Sequence, residues 1–68
     1  MSNLLGEALP KEMTRVRDMI PYYEEIGPRA AFVLSLMRHD LDRAATALAE
    51  GDVAAMIDAY QSLKEYSL

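Results

Sequence analysis

The chain of 68 residues contains no cysteine and no tryptophan, and it has one histidine, three glycines and three prolines. Without cysteine, neither a disulfide framework nor thiolate ligation of zinc is available. The glycines are isolated at positions 6, 27 and 51, so they form no glycine-rich loop for a phosphate group. These absences exclude disulfide-stabilised folds, thiolate zinc sites and phosphate-binding loops.

Long apolar runs and an excess of basic charge are also missing. The longest nearly apolar run, residues 30–37, is far shorter than the roughly 20 residues that cross a bilayer. Residues 1–10 lack a basic segment followed by an apolar stretch of secretory length. Seven basic and eleven acidic residues give a formal charge of −4, which argues against a nucleic-acid ligand. We therefore expect a soluble, cytoplasmic protein that binds neither membrane nor nucleic acid.

Two glycine-centred breaks divide the chain into three helical stretches. Gly27 can adopt the left-handed conformation that closes a helix, and Pro28 can begin the next because a first helical residue needs no N–H. Gly51 closes the second stretch, and Asp52 can accept from the free N–H groups of the third. The sequence predicts one all-α domain over residues 1–68, a three-helix up-down-up bundle with helices at 9–26, 28–50 and 53–66.

Apolar residues recur at spacings of three and four in each predicted helix, which is typical of a buried helix face. Pro21 interrupts this pattern, so the first helix is predicted to be kinked or broken near it, with residues 22–26 as a separate turn. The predicted core residues are Leu9, Met13, Val16, Ile20 and Tyr23, then Ala30, Leu34, Met37, Leu41, Ala44 and Leu48, then Val53, Met56, Tyr60 and Leu63.

The candidate metal ligands are few. The pair His39-Asp40 resembles the dipeptide of metal-dependent phosphohydrolases, but such a site needs further histidines and the chain has no other. A site made of the carboxylates of Asp40, Asp42 and Glu24 or Glu25 lacks the spacing of a calcium loop. We predict no metal and no cofactor, and we interpret this segment as a solvated face on which Arg38 pairs with Asp42. The predicted polar residues are Arg38, His39, Asp40, Asp42, Arg43 and Thr46.

Catalytic and DNA-reading motifs are weak or absent. The serines lack the glycine-flanked turn of a nucleophile elbow, so we predict that the protein is not an enzyme. Ala47, Gly51 and Ile57 match the small residue, turn glycine and packed aliphatic residue of a helix-turn-helix. However, residues 53–63, which would form the recognition helix, contain no lysine or arginine, so we interpret this segment as a plain helical hairpin.

The second predicted helix has more apolar residues than one buried face requires. Phe32, Val33 and Leu36 widen its stripe, and three short helices offer one another about one stripe each. We expect a homodimer to cover the surplus; the alternative is an amino-terminal segment, with Leu4 and Leu5, folded back over it. Aromatic residues and methionine are typical of interface cores. The candidate interface residues are Met19, Tyr22, Tyr23, Phe32, Val33 and Leu36.

Three phrases of the sequence are similar to a known group of proteins. Residues 9–13 (LPKEM), 23–28 (YEEIGP) and 51–60 (GDVAAMIDAY) resemble phrases in short uncharacterised helical proteins from phage and prophage regions of proteobacterial genomes. The resemblance covers nearly the whole chain. It implies a phage-related setting but no role for any residue.

The sequence therefore predicts a non-enzymatic protein-interaction or structural accessory module that self-associates. The alternative is a small acidic inhibitor or regulator that binds the basic surface of a protein partner. The position of the carboxylates distinguishes the two, because an inhibitor needs them on one exposed face, free of Lys11, Arg15 and Arg17. The carboxylates in question are Glu7, Glu12, Asp18, Glu24 and Glu25.

Overall fold

A computed structural model describes residues 4–68 of the chain as three α-helices with short connections. Helix α1 is Leu4–Ile26, a single 3-10 turn is Pro28–Ala30, α2 is Ala31–Glu50 and α3 is Val53–Lys64. No strand occurs between residues 4 and 68. The predicted all-α class and the number of helices are confirmed.

Helix α1 is longer than predicted and accommodates two prolines. It begins at Leu4 rather than near Leu9, because Leu5 and Leu9 are one turn apart and both pack on the core. Pro10 and Pro21 are eleven residues apart, or about three turns, so both lie on the exposed side of α1. Hydrogen bonds on the solvent side of a helix are the ones that lengthen most readily. The helix is continuous across Pro21, so the predicted break and the separate turn at residues 22–26 are wrong.

The connection between α1 and α2 depends on one glycine. Gly27 has φ 92° and ψ −152°, a positive φ that favours glycine but not the left-handed helical conformation that was predicted. Its N–H donates to the carbonyl of Glu24 at 3.1 Å, and its own carbonyl accepts from the N–H of Ala30 at 2.9 Å. Pro28 therefore begins a 3-10 turn, and α2 starts three residues later than predicted.

The connection between α2 and α3 follows the prediction. Gly51 is left-handed, with φ 65° and ψ 28°, and the N–H of Asp52 donates to the carbonyl of Ala47 at 3.0 Å. This is the hydrogen-bond pattern of a glycine-terminated helix. The carboxylate of Asp52 accepts from the N–H of Ala55 at 3.1 Å and so caps α3.

The core lies between all three helices and contains mostly the predicted residues. Ile20, Tyr23, Leu48 and Tyr60 are only partly buried at its margin. Val53 is 60% exposed, contrary to the prediction, because the buried face of α3 is centred elsewhere and leaves Val53 at its edge. The buried apolar residues are Leu9, Met13, Val16 and Met19 in α1, Ala30, Leu34, Met37, Leu41, Ala44 and Ala47 in the second helical segment, and Met56, Ala59 and Leu63 in α3.

Helix α3 is shorter than α2, so it cannot cover the whole length of α2. The 20 residues of α2 span about 30 Å, whereas the 12 residues of α3 span about 18 Å. The described chain measures 43 × 16 × 16 Å along its principal axes.

No helix within residues 4–68 is long and apolar enough to cross a membrane.

Candidate functional site

One side of α1 faces α3 and continues beyond its end. A guanidinium N–H of Arg15 donates to the carbonyl of Leu63, in the last turn of α3, at 3.0 Å. Residues 15, 19, 22 and 26 are spaced by four, three and four, so they share one side of α1. Met19 is buried next to Arg15, but Tyr22 is 61% exposed and Ile26 is 56% exposed. This side of α1 therefore loses its cover where α3 stops.

One side of α2 is uncovered for the same reason. The carboxylate of Asp40 accepts from the hydroxyl of Tyr66, just after α3, at 2.7 Å. Residues 33, 36 and 40 of α2 are spaced by three and four, so they share one side of it. Val33 is partly buried and Leu36 is 41% exposed, and the neighbouring Phe32 is 77% exposed.

We name the exposed apolar residues on these two sides the open end. It consists of Tyr22, Ile26, Phe32 and Leu36, at the end of the molecule where α1 connects to α2. Beyond the end of α3 at Lys64, residues 66–68 follow, and Tyr66 and Ser67 contact Asp40 and Tyr23 of the two helices. We name residues 66–68 the strap.

Two side-chain hydrogen bonds hold the strap. The hydroxyl of Tyr66 donates to one carboxylate oxygen of Asp40, and the hydroxyl of Tyr23 donates to the carbonyl of Ser67. The other carboxylate oxygen of Asp40 accepts from Arg43 at 3.0 Å. Burial, and then the hydrogen bond to Asp40, raise the pKa of Tyr66 above its ordinary value. Tyr66 therefore remains a neutral donor to a higher pH than an ordinary tyrosine.

Asp40 was predicted to lie on a solvated face, but the structure buries it. It is 9% exposed and is the buried charged residue of the described chain. The partner that allows this burial, Tyr66, is 26 residues away in the sequence, so the local pattern did not show it. The predicted pairing of Arg38 with Asp42 is also not found, because Arg38 instead binds Glu24 at 2.9 Å.

The rest of the polar face of α2 is exposed as predicted and borders a shallow groove of about 320 Å³. Across residues 4–68, no three His, Asp or Glu side chains are arranged to hold a metal ion. The groove is open, and its polar side chains are all exposed at the surface. It is lined by His39, Asp42, Arg43, Thr46, Ala47, Glu50 and Ala55.

The six candidate interface residues have three different positions. Tyr22, Phe32 and Leu36 are exposed in the open end. Val33 and Tyr23 are partly buried against the core, and Tyr23 also holds the strap. Met19 is buried at 5% exposure, so its side chain is not available at the surface. Sequence reasoning missed Ile26, although its spacing of four from Tyr22 is the signal that finds it.

The alternative covering segment lies too far away. Leu4 and Leu5 begin α1, and the 23 residues from Leu4 to Ile26 span about 34 Å of helix. Leu4 is 72% exposed, and Phe32 remains exposed at the opposite end. The folded-back amino-terminal segment therefore does not cover the open end within residues 4–68; Met1 to Asn3 lie outside the described residues.

The acidic residues do not form one unpaired face. Glu12 binds Arg15 at 2.6 Å, and Glu24 binds Arg38 at 2.9 Å. The other three are spaced at helical intervals along one exposed side of α1, where Lys11 lies among them. These are Glu7, Asp18 and Glu25. Three of the five predicted carboxylates therefore share one exposed side with Lys11, and the acidic inhibitor stays an untested alternative.

Comparisons of the chain with protein-family models, with curated proteins and with solved structures find no match. No function is therefore carried over from another protein. The phage-related setting implied by the sequence resemblance stays a prediction, because these comparisons do not test it.

Proposed function

We propose that this protein is a non-enzymatic interaction module that pairs with a second copy of itself through the open end. The observation that supports this is the exposure of Phe32 at 77% beside three further apolar side chains at the same end. Contiguous apolar surface of this kind is uncommon on monomers and marks interaction sites. Two of the four side chains are aromatic, which is the composition of an interface core.

The size of the open end suits a small, reversible dimer. Burying the exposed parts of its four side chains removes on the order of 500 Å² of surface from each copy. A stable interface of standard size buries about 800 Å² on each partner, including its polar rim. We therefore expect association at micromolar rather than nanomolar concentration.

The charges at the rim favour a second copy as the occupant. Glu25 and Arg29 are exposed beside the open end, and neither has an ion-pair partner within residues 4–68. A two-fold axis brings the carboxylate of each copy towards the guanidinium of the other. Closed two-fold symmetry is also the commonest arrangement of a self-complementary surface. Arg17 and Asp18 also line a groove with Tyr22 and Glu25, so the rim carries charges of both signs, which suits a second copy better than a partner of one charge sign.

The proposal includes the path of the chain. Arg15 of α1 contacts Leu63, and Tyr23, which is later in α1, contacts Ser67, which is later than Leu63. Because the order of the contacts is the same in both segments, they support α1 and α3 running parallel. The tight turn at Gly51 supports an antiparallel α2. We therefore propose an up-down-up bundle in which α1 is kinked inwards at Pro21, because a proline on the outer side bends a helix towards its core.

Analytical ultracentrifugation at micromolar concentration tests the proposed dimer. We expect the parent chain to sediment as a dimer and Phe32→Glu to sediment as a monomer, because a carboxylate would be buried unpaired in the contact. The matched control is Ile57→Glu, an exposed aliphatic residue of α3 outside the open end. A parent chain that is monomeric, or an Ile57→Glu variant that dissociates equally, contradicts the proposal.

A further inference from the structure

We infer that the strap is part of the contact with the second copy, with Leu68 as its contact residue and Asp40 and Tyr23 as its positioning residues. This inference rests on the proposed dimer. It extends the surface from the four side chains of the open end to a segment that follows α3.

The strap has a fixed path beside the open end. Its anchors are on the two helices that form the open end, since Tyr23 belongs to α1 and Asp40 to α2. Tyr23 is adjacent to Tyr22, and Asp40 is one turn from Leu36. Two successive strap residues, Tyr66 and Ser67, are held, so the position of the next residue is limited as well.

Leu68 gains nothing from this position within its own copy. Its side chain is 76% exposed although the residue before it is hydrogen-bonded. The hydrogen bonds of Tyr66 and Ser67 restrict the chain next to this leucine, at a cost in conformational entropy that its exposed side chain does not offset. A second copy seated on the open end would bury this side chain and recover that cost.

Asp40 makes the position of the strap specific. A buried carboxylate is unfavourable unless it is hydrogen-bonded, and Asp40 accepts from both Tyr66 and Arg43. No buried side-chain polar atom of the described residues lacks a partner. A fully satisfied buried polar network favours one arrangement over alternatives, so Asp40 holds Tyr66, and through it the strap, in one place.

The test uses the full chain and measures dimer dissociation together with the melting temperature of the dilute monomer. Leu68→Ala should raise the dissociation constant about 25- to 100-fold, because the two-fold dimer loses a buried leucine contact worth about five- to tenfold in each copy. It should leave the melting temperature of the dilute protein unchanged, because the side chain is exposed there. Equal dimer affinity in Leu68→Ala and the parent chain would overturn the inference.

A double-mutant cycle identifies the positioning role. Tyr66→Phe keeps the ring but removes the hydroxyl that donates to Asp40, so it should weaken the dimer severalfold in the parent chain. In the Leu68→Ala background it should have little further effect, since the contact that it positions is already absent. Independent, additive effects would show that Tyr66 does not act through Leu68 and would overturn its role.

The two proposals fail in different ways. If Phe32→Glu dissociates the dimer while Leu68→Ala does not weaken it, the open end is the interface and only the strap inference is wrong. If the parent chain is monomeric, or Phe32→Glu leaves the dimer intact, the proposed function itself is wrong, and the strap inference falls with it.

Discussion

At the scale of single residues, the hydrogen bond between Tyr66 and Asp40 determines where the residues after α3 lie. Sequence periodicity assigned Asp40 to solvent because its neighbours His39 and Asp42 are polar. The structure instead buries its carboxylate between Tyr66 and Arg43. The hydrogen bond compensates the cost of removing a charge from water, and it fixes the ring of Tyr66 against the core.

Alkaline pH should test the environment of Tyr66. Its pKa is raised in the folded protein, so from about pH 10 upwards the unfolded chain releases this proton first. The folded state then binds more protons, so the stability that Tyr66 contributes is fully present below this window and is lost as pH rises through it. In Tyr66→Phe this part of the decline should be missing when urea unfolding is measured at about pH 9 and 11.

The control for the alkaline experiment is Tyr22→Phe, because the Tyr22 hydroxyl makes no side-chain hydrogen bond within residues 4–68 and its ring is 61% exposed. It should keep the decline of the parent chain. If the slopes of Tyr66→Phe and the parent chain are the same, the hydroxyl of Tyr66 is not held as the structure indicates.

At the scale of helices, the connections are short and depend on two glycines with different conformations. Gly51 has the left-handed helical conformation that asparagine also tolerates. Gly27 has φ 92° and ψ −152°, a region that is essentially restricted to glycine. A Cβ added at either position meets no atom within 4 Å, so any cost of substitution comes from the backbone.

Substitution of the two glycines should therefore have unequal effects. Gly27→Ala should lower the free energy of unfolding by about 1–3 kcal/mol, the cost of a strained backbone conformation. Gly51→Asn should cost less, because asparagine adopts the left-handed conformation readily. Chemical denaturation of both variants measures the difference, and a larger loss for Gly51→Asn would contradict the assigned conformations.

The sequence predicted the helices well and their ends less well, for physical reasons that differ by site. The signals at Gly51 and Asp52 are local, and both were interpreted correctly. The start of α1 was predicted at residue 9, whereas Leu5 also packs on the core and the helix continues through Pro10. Helix α3 ends at Lys64 rather than at residue 66, since Tyr66 leaves the helix to reach a partner far away in sequence.

The open end was partly predictable because part of its signal is local in the sequence. The apolar surplus at Phe32 and Leu36 is a local pattern, and the structure leaves both side chains exposed. The contact of Tyr23 with Ser67 and the burial of Met19 depend on where α3 ends. The spacing of apolar residues in α1 gives no information on that position. Ile26 was treated as a helix boundary, although it is one turn from Tyr22.

At the scale of the whole molecule, the chain is close to the lower limit for an independently stable core. A domain of about 60 residues buries only about 60% of the surface that its unfolded chain exposes. Four of the thirteen buried apolar residues are alanines, which bring helices close together but bury little surface each. Burial of the open end between two copies would add apolar area that the single chain does not provide.

The melting temperature should therefore depend on protein concentration. A partner that binds only the folded chain stabilises it by mass action, by roughly 1–2 kcal/mol when a micromolar dimer is concentrated from about 1 to about 100 μM. For a domain of this size, that corresponds to an increase of roughly 4–16 °C. Phe32→Glu should melt at one temperature throughout this range, close to that of the dilute parent chain, because Phe32 contributes little to the fold of its own copy. Calorimetry of both proteins over the concentration series measures the effect, and a parent chain whose melting temperature stays constant would show that the open end is not covered by a second copy.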